Sequence, residues 1–313
     1  MNDAQIIQII QAAILAGTPL VFASVGELLT ERSGVLNLGV NGMMLVGAIS
    51  GFWATFATSS LTLGVLAGLV AGAVFSTIHA FTSVTLRVNQ IVSGLALAIF
   101  GRGLANFIGR TTSPPLVGEP SKAQFKQLFG DNLADLPIVG PLIFGHDAMV
   151  YVSWVVVAAA SYYLFHTRAG LSLRSVGENP AAADSAGLNV NRIRYVHVLI
   201  GGGLSGVAGA YIPLALNPSW ADDATNLGWI AIALVIIAAW RPWRALLAGY
   251  LFGGMVKLGF TLQVLGLEIP AQFLSMIPFV ATIVILIATT SGKRARLFGA
   301  PAALAIPYDR ESR

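Results

Sequence analysis

The side chains of this chain that could do chemistry are few, and most of them sit inside apolar runs. Asn37 and Asn41 stand one helical turn apart, with Gly39 between them and Gly42 beside them. Two amides on a glycine-loosened helix suit a broken helix that offers backbone and side chain to a solute; inter-helix hydrogen bonding is the alternative. Arg102, Asn106 and Arg110 follow at i, i+4 and i+8, one polar stripe toward the outer end of a helix. A cation within a membrane span faces a cavity or a partner, or else snorkels outward or pairs with an external acid. Lys257, also inside an apolar run, suits a subunit interface or a pathway lining equally.

Enzymatic constellations are missing. There is no GxSxG, no HExxH and no Walker A, because Gly292-Lys293-Arg294 lacks both the upstream glycine and the Ser or Thr. ATP binding by that mechanism is excluded. Gly201-x-Gly203-x-x-Gly206 matches a dinucleotide pattern, but it opens an apolar helix with no strand before it. His79, His146, His166 and His197 share no ligand-like spacing, and the absence of cysteine removes thiolate metal sites and disulfides. No catalytic residue, metal or cofactor is expected.

The elements that must position these residues follow from composition. Of 313 residues, 56% are apolar and 10% charged, against about a quarter charged in a soluble domain. Mean hydropathy is +0.76. Disorder and a soluble domain are both excluded. Runs such as residues 231–240 are apolar on every side, unlike the alternation of a barrel strand. The reading is an all-α polytopic transmembrane helical bundle. A bilayer core needs about 20 apolar residues per helix, which predicts nine spans near 5–26, 37–57, 62–86, 90–109, 148–166, 196–216, 225–240, 245–265 and 270–291. With the N-terminus outside and the C-terminus cytoplasmic, 13 of the 18 Lys and Arg fall in inner segments, three in outer segments and two in spans. Gly64, Gly68 and Gly72 repeat on one helix face and predict close packing within the chain.

The transmembrane part is read as residues 1–295, with 296–313 as a cytoplasmic tail. Residues 111–147 form an external loop shaped by Pro114, Pro115, Pro120, Pro137 and Pro141. Residues 167–194 form a basic inner loop holding Gly177-Glu178-Asn179-Pro180. Asn179 should cap a helix with Pro180 at its first position, running to about Ala186 and stopping at Gly187. A short helix without lipid to bury against should dock on a protein.

Four blocks carry a family resemblance. They are Glu31-Arg32-Ser33-Gly34-Val35-Leu36-Asn37-Leu38-Gly39 with Gly42-Met43-Met44-Leu45-x-Gly47-Ala48; Val88-Asn89-Gln90-Ile91-Val92-Ser93-Gly94-Leu95; Gly177-Glu178-Asn179-Pro180-x-Ala182-Ala183-x-x-Ala186-Gly187; and Ile269-Pro270-x-Gln272-Phe273-x-x-Met276-Ile277-Pro278. Together, over roughly residues 20–295, they resemble ABC-transporter permeases of the branched-chain amino acid and simple-sugar class, nucleoside-type branch. Asn41 departs from the pattern, which has glutamate there.

The resemblance implies a multi-pass subunit of the bacterial inner membrane, embedded in lipid. Its implied partners are a second, related permease, a cytoplasmic ABC ATPase and an external substrate-binding protein, and nucleic acid is not among them. It also implies that the helix bearing Gly177, Glu178, Asn179, Pro180, Ala182, Ala183 and Gly187 couples to the ATPase. A nucleoside or related sugar-like solute would meet amides and aromatic faces, for which Asn37, Asn41, Asn106, Phe107 and Trp229 are the candidates. A simple-sugar or branched-chain amino acid permease is the alternative. A secondary transporter acting alone would need an ionisable relay, and beyond Arg102, Lys257 and Glu27 the spans offer almost none.

Overall fold

The computed structural model describes residues 3–130, 133, 136, 139–220, 226–264, 270–290 and 299–309. Among these residues every regular element is helical; the extended backbone is limited to isolated bridges such as Val117 with Trp220. The elements are α1 (Asp3–Arg32), α2 (Val40–Thr58), α3 (Leu61–Ala80), α4 (Gln90–Thr111), α5 (Ala148–His166), α6 (Arg168–Glu178), α7 (Pro180–Ser185), α8 (Val190–Tyr211), α9 (Leu227–Ile237), α10 (Pro242–Val264) and α11 (Ala271–Thr290). Short π-helical turns, Phe81–Thr85 and Ile212–Leu216, extend α3 and α8.

Among the described residues, six helices are long and apolar enough to cross a membrane: α1 to α5 and α8. α10 and α11 have 23 and 20 residues. The run expected as a span at 225–240 instead gives α9, only 11 residues long. That is about 16 Å of helix, half of a bilayer core. Its end is set by Ala239 and Trp240, both at positive φ, just before Pro242 restarts the chain as α10.

Polar residues punctuate the apolar helices. Asn89, Asp147, Thr167, Asn179 and Asn189 each cap the following helix by accepting from one or two of its first free amides. The expected turn at 58–60 is present, with Ser59 at φ 56 and Ser60 accepting from Leu63 N.

The core lies where α8 packs on α1, α2 and α3. Backbone contact replaces side-chain interdigitation here. A Cβ on Gly206 would stand 2.1 Å from Gly68 O, and one on Gly72 would stand 2.3 Å from Gly202 O. Gly68 and Gly72 of the α3 stripe thus meet Gly202 and Gly206 of α8, while Gly64 faces Thr55 and Gly51 of α2 and Gly201 faces Thr30 and Gly26 of α1. Between α4 and α5, Pro120 bridges Ser219 and Gln127 bridges Asp147, so the chain around 120–127 folds back toward the segment after α8 and the start of α5.

Candidate functional site: capped loop helix and amide cluster

Between α5 and α8, Thr167 caps α6 through a bond from Gly170 N of 3.0 Å, and α6 ends at Glu178. Asn179 then turns the chain: its N–H donates to Ser175 O at 2.9 Å, closing α6, and its Oδ1 accepts from Ala182 N at 3.0 Å, opening α7. Pro180 occupies the first turn, where its missing N–H leaves nothing unsatisfied. α7 stops at Ser185, and Gly187 adopts φ +86, which a side chain would strain. The cap, start and stop thus lie where the sequence places them.

Only Ala183 of α7 is buried, packing with Val176 and Val190; Ala181, Ala182 and Ser185 stay exposed. Glu178 does more than the sequence suggests. Its Oε2 accepts from Ala302 N at 3.3 Å, and its charge acts on Arg32. Gly177 is buried against Arg32 O, which a Cβ would meet at 2.2 Å, and its own carbonyl accepts from Ala303 N at 2.9 Å. The tail therefore belongs to this site, and no local pattern in the sequence signals it.

The amides of the membrane part separate into two environments. α1 ends as the chain reaches Gly34 at φ +88, and α2 begins only at Val40. Asn37 thus lies in the connecting loop, ahead of the helix that carries Asn41. Its Oδ1 accepts from Gly39 N at 2.9 Å, its Nδ2 contacts Met43 Sδ at 3.3 Å, and its own N–H donates to Glu27 Oε1 at 2.9 Å. It is fully buried, and its amide is spent on shaping the loop.

Asn41 is buried too, but it faces another element. Its Oδ1 accepts from Gly228 N at 3.2 Å, and a Cβ on Gly228 would stand 2.4 Å from Asn41 Cα. On the next face of α2, Gly42 meets α4, where a Cβ on Gly101 would come within 2.6 Å of Gly42 Cα. The start of α2 is therefore clasped between α9 and α4.

Across that clasp Arg102 Nη2 donates to Asn226 Oδ1 at 2.6 Å. Both residues are exposed. Arg102 is the 13th residue of the 22 in α4, and Asn226 precedes α9. Asn106 is half-buried on α4, Phe107 is 64% exposed, and Trp229 is half-buried beside Gly228. The structure thus brings Asn41, Trp229 and Asn226 to one helix start, with Arg102 bonded to it and Asn106 and Phe107 on the same helix as Arg102. Asn37 stays apart.

Two buried acids, Glu27 and Glu31, sit one turn apart near the C-terminal end of α1. Glu27 holds the Asn37 loop, and Glu31 Oε2 accepts from Trp240 Nε1 at 2.5 Å, tying α1 to the turn before α10. The histidines serve the fold. His79 Nε2 donates to Leu36 O, His197 Nδ1 donates to Ile193 O, and His166 stacks on Tyr162. Just before α5, His146 Nε2 donates to Leu142 O, and burial holds its imidazole below the usual range. Among the described residues no cluster of His, Asp or Glu could hold a metal ion.

A capped, exposed helix between α6 and α8 thus accompanies a polar clasp within a bundle of apolar helices. A family model described as the branched-chain amino acid transport system / permease component matches residues 9–289. The chain belongs to this family. The permease is similar over nearly its full length to TsgC13 of Haloferax volcanii, named for a glucose ABC transporter (36% identity, 97% of this chain and 98% of the relative). It is equally similar to the nucleoside ABC transporter permease protein NupC of Lactococcus lactis (36% identity, 91% and 93%). The guanosine ABC transporter permease protein NupQ of Bacillus subtilis shares 32% identity over 98% of each chain. A solved metal-chelate type ABC transporter in an inward-facing conformation shares the fold: TM-score 0.51, 15% identity, covering 90% of this chain and 85% of that one.

Proposed function

We propose that this ABC permease is half of the membrane pathway of an ATP-driven importer for a nucleoside or a related sugar-like solute. It lies in the bacterial inner membrane beside a second, related permease. α7 carries the reading: a polar-capped helix with an exposed face has no use in lipid and fits a cytoplasmic ATPase. An external binding protein delivers the solute. The names of NupC and NupQ favour a nucleoside, and that of TsgC13 keeps a simple sugar as the second reading.

The chain crosses the membrane nine times in this proposal, α9 being a half-length crossing whose start lies deep in the bilayer. The bond from Arg102, near the middle of α4, to Asn226 at that start supports this depth. The 13-to-3 cation split supports an outside N-terminus and a cytoplasmic C-terminus. A reporter fused at the C-terminus should be active only in the cytoplasm, and activity only outside would reverse the topology. The exposed face of α4, with Ile99 at 75% and Phe107 at 64%, carries Arg102 in mid-span, so it meets the second permease or the pathway rather than lipid.

Asn41, Asn106, Phe107 and Trp229 are proposed to line the pathway, with Asn37 setting the loop that leads into it. The test is uptake of radiolabelled guanosine, adenosine, ribose, glucose and leucine by vesicles holding the assembled transporter. ATP-dependent uptake of a nucleoside is the expected result, with Asn41→Leu about tenfold slower at unchanged assembly, since an unpaired Gly228 amide costs about 1–3 kcal/mol. Uptake of leucine alone, or uptake without ATP, defeats the reading.

A further inference from the structure

We infer that the C-terminal segment 299–309 is a brace that fixes the pose of α7. The inference rests on the coupling role proposed for α7 and adds the element that holds that helix in place.

α7 has six residues and one buried side chain, and a helix this short has no stability of its own in water. Among the described helices its main packing is on α6 and α8. A cavity of about 310 Å³, lined in part by Arg87, Asp184, Asn189, Asn191 and Tyr308, opens beside it. Close packing therefore does not fix its tilt on that side.

The tail fixes it instead, by bonds to each neighbouring element. Ala303 N donates to Gly177 O at 2.9 Å, and Ala302 N donates to Glu178 Oε2 at 3.3 Å, so the residues just before α7 are held twice. Ala305 N donates to Gly34 O at 3.2 Å, anchoring the strap to the end of α1. Buried Arg194 pins the two together: Nε donates to Ser33 O at 3.2 Å and Nη1 to Ile306 O at 3.3 Å. Tyr308 packs on the cluster of Val176, Ala183 and Val190, which holds the one buried residue of α7. Asp309 closes the strap on Arg87 at 2.6 Å, after α3. Pro301 and Ala303 are buried, yet Ala181, Ala182 and Ser185 remain open. The brace supports α7 from behind and leaves its outer face to a partner.

The brace also ties α7 to the cytoplasmic ends of α1, α3 and α8 at once. A displacement of α7 by a partner is thereby passed to three membrane helices rather than absorbed by a loose loop.

Deletion of residues 299–313 tests this in the assembled transporter, read by hydrogen exchange and by uptake per ATP hydrolysed. The amides of residues 182–188 should exchange at least about tenfold faster while those of α1 to α4 stay protected, because only the local opening equilibrium changes. Uptake per ATP should fall by a similar factor. Unchanged exchange in α7, or unchanged uptake per ATP, overturns the brace. Should the deletion fail to accumulate, Tyr308→Ala removes one anchor outside the membrane helices. Faster α7 exchange in that variant supports the brace, and exchange equal to wild type overturns it. A wild-type complex without ATP-driven uptake would instead defeat the importer reading, while the exchange data would still decide the brace.

Discussion

Gly206→Val should remove most of the folded protein from the membrane. The valine Cβ would lie 2.1 Å from Gly68 O and 3.0 Å from Gly72 Cα, and both are backbone atoms that no rotamer change can move aside. α3 and α8 would have to separate, opening the contact on which the core is built. Overpacking of a well-packed core typically costs about 1–3 kcal/mol where side chains can adjust, and here they cannot. The expected result is a drop of at least about tenfold in monodisperse protein after detergent extraction, the effect of losing some 1.4 kcal/mol or more. Gly203→Ala, in the same motif, is the control. Its Cβ meets nothing closer than 3.5 Å and should leave the yield unchanged. Equal yields for both variants would show that Gly206 is not part of the packing surface described above.

Glu178→Lys should separate ATP hydrolysis from transport. The carboxylate accepts from Ala302 N and offsets charge on Arg32, which also feels the cations of Arg174 and Arg241. A lysine removes the acceptor and adds a like charge to that group. The side chain is exposed, so the membrane core does not depend on it. Coupling between sites is commonly worth 1–3 kcal/mol, so uptake should fall about 5–150-fold while the complex still hydrolyses ATP. Glu178→Gln keeps an acceptor oxygen and should stay within about threefold of wild type. Normal uptake in Glu178→Lys would remove this residue from the coupling element.

The two variants probe parts of the molecule that differ in how far the sequence reveals them. The glycine repeat at 64, 68 and 72 predicts close packing, and the structure supplies its partner in Gly202 and Gly206. Of the dinucleotide-like pattern in α8, Gly206 serves this contact and Gly201 a separate one with Gly26 and Thr30 of α1. Glu178, by contrast, looks like part of a surface for a partner, but its carboxylate is bonded to the chain's own tail. The pairing of Arg102 with Asn226 could not be read either, since both residues belong to apolar stretches without a shared pattern.

Asn37 and Asn41 show the same division within five residues. Their spacing suggests one helix face, yet Gly34 at φ +88 ends α1, and α2 starts at Val40. Asn37 then turns inward to satisfy its own loop, and Asn41 reaches Gly228 instead.

The sequence by itself determined the all-helical membrane character, most helix limits and the cap, start and stop of α7. Those depend on composition and on bonds between residues three or four positions apart, which a linear chain displays directly. Only the tertiary structure decided which amide faces which helix, that α9 is half a span, and that residues 299–309 hold α7. The partners in those contacts lie far apart in sequence, 187 residues for Asn41 and Gly228 and 124 for both Arg102–Asn226 and Ala302–Glu178. A polar atom carries a requirement for a partner but no address for it, and only packing of the apolar helices brings the two together.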